Sequence, residues 1–167
     1  MDTVTIRDRT PADLRRCVDL LADVHRLDGY PLNWPTEPQR WLSPPDLQHA
    51  WVAEVGGAGP VGHIAVHRAA APPEPHPAPA EVGRLFVAPA VRGHGVAGAL
   101  LRQARRWATD RDRELLLEVV DRPRSAAVAL YERTGWRHTR TTTADWTAPD
   151  GSPVTLRHYA LPRPHRT

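Results

Sequence analysis

The sequence predicts one α/β (α+β) domain over residues 1–167, on three observations. Strand-like and amphipathic helical runs alternate along the chain, two β-rich runs flank a glycine-rich turn, and a glycine-dense loop joins a strand to a helix. At 167 residues the chain has the length of a single domain, enough to bury about 70% of its unfolded surface without staples.

Val4 to Arg7 reads as a short first strand. Thr10-Pro11-Ala12-Asp13 then supplies an N-cap, a proline for the first helical position and an acid at N3. Leu14, Cys17, Val18, Leu21 and Val24 follow at helical spacing, which predicts an amphipathic helix ending near Leu27. Asp28 to Pro45 holds five prolines and is expected to be a loop with a short helical piece at 37–42. Trp51 to Val55 and Val61 to His67 form the expected hairpin, and the five prolines between Ala69 and Ala80 predict a surface loop at about 69–80. Val82 to Val87 reads as strand, Gly95 to Thr109 as helix and Leu115 to Val120 as strand. Ser125 to Arg133 reads as a helix stopped by Gly135, and the tail to Leu161 as two strands turning at 149–152.

Composition excludes several classes. All 22 basic residues are arginine, so a Walker A loop, whose lysine reaches the phosphates, is absent. The net charge of +3 is modest and the arginines are scattered among 19 acids, so no nucleic-acid surface is called for. There is no apolar run of transmembrane length and no basic-then-apolar leader, from which a cytoplasmic protein is expected, with no membrane partner. The single Cys17 fits a small core residue better than a nucleophile. His63 and His67 fall on one strand face without the glutamate and helix of a zinc-protease pattern, and no metal is expected.

Residues 84–108, "RLFVAPAVRGHGVAGALLRQARRWA", hold two overlapping glycine patterns. Gly93 to Gly98 satisfies G-x-G-x-x-G, with Glu118 near the distance of a ribose-binding acid. However, Ala88 to Arg92 separate the strand from the glycines, Glu118 lies inside its strand, and too little chain follows for a doubly wound sheet. Arg92 to Ala97 satisfies [QR]-x-x-G-x-[GA]. Backbone N–H groups at a helix N-terminus carry partial positive charge, and glycines let a pyrophosphate approach them closely.

That loop, its preceding strand and "LYERTGW" at 130–136 together resemble the acyl-coenzyme A motifs of the GCN5-related N-acetyltransferase (GNAT) family, most strongly from Glu81 to Trp136. The resemblance implies a mixed, mostly antiparallel sheet flanked by helices, with a splay between strands 4 and 5 that takes acetyl-coenzyme A. It implies strand backbone contacts to the cofactor at Leu85, Phe86 and Val87, and pyrophosphate contacts at Arg92, Gly93, His94, Gly95, Val96 and Ala97. Tyr131 matches the family tyrosine near the sulfur, a general acid, although an aromatic there also serves as packing. Glu81 stands where relatives place a carboxylate that takes the amine proton, and strand alternation sets it on one face with Gly83, Leu85 and Val87. A solvated glutamate is the equal alternative.

One position departs from the pattern: Arg124 stands where the family commonly has asparagine, so its contact to coenzyme A differs or is absent. The acceptor pocket implied by the resemblance involves Tyr30, Trp34, Asp145 and Trp146. The expected reaction is direct attack of a primary amine, on a small molecule or a peptide, on the thioester. A non-catalytic acyl-coenzyme A binding module is the alternative, and a homodimer is left open.

Overall fold

The computed structural model describes residues 3–69 and 78–163. Contacts divide the chain into two compact units, Met1–Arg68 with Val82–Trp107, and Ala69–Glu81 with Ala108–Thr167. Most of the proline-rich loop expected at 69–80 lies outside the described residues, at 70–77.

In the first unit, strand β1 (Val4–Asp8) leads through a single 3-10 turn, Pro11–Asp13, into helix α1 (Leu14–Asp28). The sequence expectation placed Pro11 at the first position of the helix itself; the tighter turn intervenes. Asp13 fastens it by accepting from the Thr10 backbone N–H at 2.7 Å and the Thr10 hydroxyl at 3.1 Å. A short helix α2 (Pro38–Leu42) interrupts the loop that follows, as its sequence predicts. Strands β2 (Leu47–Val55) and β3 (Pro60–Arg68) form an antiparallel hairpin with Trp51 opposite Ile64, and β1 adds antiparallel to β2 with Ile6 opposite Ala53. Cys17, Leu20, Leu21 and Val24 of α1 pack on Leu42, Val52, Phe86 and Ala88. Burying each leucine there contributes about 1.5–3 kcal/mol, which is what makes the apolar spacing of α1 decisive.

Strand β4 (Ala80–Val87) gives its first two residues to the second unit and the rest to the first. Helix α3 (Val96–Asp110) follows it, with Val96, Leu100, Leu101, Ala104 and Trp107 buried. In the second unit, Ala80 and Glu81 lie parallel to Leu115 and Leu116 of strand β5 (Leu115–Val120). Strand β7 (Pro153–Leu161) runs antiparallel to both β5 and strand β6 (Arg137–Thr147). The strand order is β1-β2-β3-β4-β5-β7-β6. Helix α4 (Ala126–Arg133) is capped by the Ser125 hydroxyl, which accepts from the Val128 N–H at 3.2 Å, and Gly135 takes the expected left-handed conformation at φ 94°. No helix among the described residues is long and apolar enough to cross a membrane.

Candidate active site

The glycine loop is built from the first unit outward. At the end of β4, the Ala88 N–H bonds the Val61 carbonyl at 2.7 Å, and one 3-10 turn, Pro89–Val91, brings the chain to Arg92. Gly93 and Gly95 then adopt φ of 82° and 76°, a region other residues enter only at a cost. A Cβ added at either would meet no atom within 4 Å, so space beside the loop backbone is open. The Ala99 N–H bonds the Gly95 carbonyl at 3.0 Å, the first rung of α3. The N–H groups of Val96, Ala97 and Gly98 precede that rung and have no acceptor within the helix, the geometry that favours an anion. His94 is exposed at the rim. These features fit a pyrophosphate. Arg92 is exposed and its guanidinium donates to the Asp28 carboxylate, tying the loop to the C-terminus of α1.

Burial along β4 alternates as expected: Ala80, Val82 and Phe86 are buried, while Glu81, Gly83, Leu85 and Val87 are half-buried. Simple alternation does not foresee Arg84, which lies in the left-handed region at φ 54°. Its Nε donates to the Trp41 carbonyl at 3.0 Å and its guanidinium lies 4.0 Å from the centre of the Trp41 ring. Tyr30 packs edge-on to the same ring at 6.2 Å, and burial pushes its phenol up to about 12. Trp34 is 40% exposed and meets the His25 ring at 5.3 Å.

The other site residues lie in the second unit. Glu81 is half-buried opposite Leu116. Tyr131, 8% exposed, meets Trp136 edge-on at 5.9 Å and Tyr159 at 6.3 Å. Arg124 is exposed with φ 55°, a conformation asparagine tolerates better than arginine. Asp145 and Trp146 are exposed on β6. Leu85 to Val87 and Arg92 to Ala97 thus belong to one unit with Tyr30 and Trp34, and Glu81, Arg124, Tyr131, Asp145 and Trp146 to the other.

The two strand histidines differ. His63 is fully buried, and desolvation lowers its pKa to about 3, whereas His67 keeps some exposure near Asp46, 3.6 Å away. Cys17 is also fully buried, and burial pushes its thiol up to about 11, in keeping with a core residue. Sequence reasoning missed the contacts of Arg9, Trp41 and Arg84, because each joins segments more than thirty residues apart.

Comparison with known proteins gives the class, an acetyltransferase family. The model of the acetyltransferase (GNAT) family matches residues 14–136, and the chain belongs to that family. It is 30% identical over 138 residues to the uncharacterized N-acetyltransferase MJ1207 of Methanocaldococcus jannaschii, covering 80% of this chain and 61% of that relative. The chain therefore spans less than two thirds of the relative's length. Its fold is similar to that of the ribosomal-protein-S18-alanine N-acetyltransferase from Escherichia coli, with a TM-score of 0.75, 18% identity and 99% and 97% of the two chains covered. It is similar too to Arabidopsis thaliana NAA60 in complex with acetyl-CoA, with a TM-score of 0.74, 20% identity and 95% and 97% covered.

Proposed function

We propose that this chain transfers an acetyl group from acetyl-coenzyme A to a primary amine of a small molecule or peptide, by direct attack in the cytoplasm. The observation that carries this is the open loop of Gly93 and Gly95, with φ of 82° and 76°, at the N-terminus of α3.

The cofactor supplies an activated thioester; the chain's own groups do the rest. The N–H groups from Gly93 to Ala97 hold the pyrophosphate, and Arg92 turns from Asp28 to assist. The backbone of Leu85, Phe86 and Val87 orients the pantetheine arm. Glu81 takes the proton of the ammonium, through water, so that a neutral amine attacks. Tyr131 holds a proton at its hydroxyl for the departing thiol. Tyr30, Trp34, Asp145 and Trp146 offer aromatic faces and a carboxylate to the acceptor, a set that suits an amine with an apolar body. Arg124 reaches the cofactor in place of the family asparagine. A homodimer is compatible with this scheme.

Free-thiol release from acetyl-coenzyme A, measured across small amines, aminoglycosides, polyamines, amino acids and peptide N-termini, tests the proposal and names the acceptor. Thiol release that depends on one amine class is expected. Tight coenzyme A binding with no release for any class would instead make the chain a non-catalytic binding module.

A further inference from the structure

We propose that His63, held by Arg9, is a positioning residue: it pins the left-handed bend of β4 at Arg84 and so aims the backbone of Leu85–Val87. This deepens the proposed function, because those three residues are the ones assigned to the pantetheine arm.

The His63 ring is fully buried and stacks on Phe86, with centroids 5.0 Å apart and planes 14° from parallel. Its two nitrogens have different partners. Nδ1 lies 2.8 Å from the Arg84 carbonyl, which can only accept, so Nδ1 carries the proton. Nε2 lies 3.0 Å from Nη1 of Arg9, which can only donate, so Nε2 is bare. The two contacts therefore fix one neutral tautomer, in agreement with a pKa lowered to about 3 by burial. A neutral ring is the only form that makes both bonds.

Arg9 is itself anchored. It is half-buried, and its guanidinium donates to the Leu42 carbonyl at 2.7 Å and to the Ser43 hydroxyl at 2.5 Å. The strap therefore runs from the end of β1, past the end of α2, through β3 to the carbonyl of Arg84. From the other side, the Arg84 side chain is fastened to Trp41 by its Nε bond and by stacking at 4.0 Å. Both the carbonyl and the side chain of Arg84 thus end on residues attached to the 41–43 segment.

Such fastening is what a left-handed arginine requires. A non-glycine residue at φ 54° is strained and persists only where its surroundings over-determine it. One turned residue inside a strand rotates the peptides that follow, which is how a bulge re-aims polar backbone groups. The peptides that follow Arg84 are those of Leu85, Phe86 and Val87. An apolar side chain would fill the His63 position without the cost of burying two ring nitrogens, so the polar ring is accounted for by what it holds.

The test compares two variants. His63→Leu removes both bonds and keeps an apolar body; His63→Asn keeps a donor near the place of Nδ1. Coenzyme A affinity is measured by calorimetry, amide hydrogen exchange is followed at Leu85–Val87, and melting temperature is recorded on the same samples. The Leu variant is expected to bind at least about tenfold more weakly, with faster exchange at Leu85–Val87, and the Asn variant to recover most of both. A folded Leu variant that melts lower yet binds coenzyme A within about twofold of the parent would make His63 packing alone and overturn the proposal. If the Leu variant does not fold, Arg9→Met removes the donor to Nε2 from a half-buried site and carries the same expectation; unchanged affinity there overturns the proposal equally. If the parent binds no coenzyme A, it is the functional reading that fails. Exchange at Leu85–Val87 then decides the strap by itself, and rates that match the parent overturn it.

Discussion

Arg7 grips Asp13 through both carboxylate oxygens, Nη1 to Oδ2 and Nη2 to Oδ1, each at 2.8 Å. The same guanidinium reaches Glu54 Oε1 at 2.9 Å, so it joins β1, the entry to α1 and β2. Hydrogen bonds from Arg7 hold the Asp13 carboxyl well below the ordinary carboxylate value of 3.8. A depressed folded-state pKa means that this stabilisation is complete above the unfolded value and is lost as pH falls below it. Asp13→Asn should therefore cost about 2 kcal/mol at pH 7, reduced from the fully buried case because Arg7 is about a third exposed. Urea unfolding should show the gap between parent and variant closing below about pH 4; parallel curves from pH 7 to pH 3 would remove Asp13 from this role.

Gly95 offers the most direct check on the cofactor loop. A Cβ there meets no neighbouring atom within 4 Å, but a valine must adopt φ 76° and its side chain occupies the open space beside the helix N-terminus. Coenzyme A affinity should fall at least about tenfold, equivalent to about 1.4 kcal/mol. Calorimetry finding the affinity unchanged in a folded Gly95→Val protein would move the phosphate site elsewhere.

Arg124 stands in the left-handed region at φ 55°, exposed at the approach to α4. Arg124→Asn places a residue that tolerates this conformation where the chain now bears strain. A gain of about 0.5 kcal/mol is expected, which for a chain of this size raises Tm by about 1–2 °C. A melting temperature that stays level or falls would show that the arginine side chain makes up the difference through its own contacts.

Local signals in the chain were legible because they depend on neighbours in sequence. The apolar spacing of α1, the Ser125 cap and Gly135 stop of α4, and the glycines before α3 all lie where the residue pattern puts them. The loop half of the site shares this property, since a glycine pair at a helix start is a local device. The left-handed Arg84 was not legible, because its conformation is imposed by Trp41, forty-three residues away, and by His63. The pairing of Arg92 with Asp28 spans sixty-four residues and follows from packing α1 beside the loop. The fate of the two histidines was hidden for the same reason: alternation puts them on one face, and only tertiary packing buries one of them completely.

Glu81 heads β4, half-buried, with Leu116 beside it in register. Glu81→Gln nearly preserves shape and removes the proton acceptor. The loss of rate should therefore be largest at low pH, where fewer amines are already neutral, and should shrink as pH rises toward the amine's own pKa. A variant whose pH–rate profile overlays that of the parent would show that the amine arrives deprotonated or gives its proton to another group.

Tyr131 is the sharpest test of chemistry against packing. Its ring is enclosed, 5.9 Å from Trp136 and 6.3 Å from Tyr159, and Phe preserves both aromatic contacts. Deleting only the hydroxyl should therefore leave coenzyme A affinity nearly unchanged and shift melting by no more than the loss of one hydrogen bond, about 1 kcal/mol. The rate should respond differently. A thiolate is a passable leaving group without help, so a tyrosine that supplies its proton contributes a moderate factor, about 10² to 10⁴. A fall in kcat of that size with unmoved affinity is the mark of an interaction made mainly in the transition state. Single-turnover kinetics isolate the chemical step, and a Phe variant within about twofold of the parent under those conditions would assign Tyr131 to the packing of α4 against Trp136 and Tyr159.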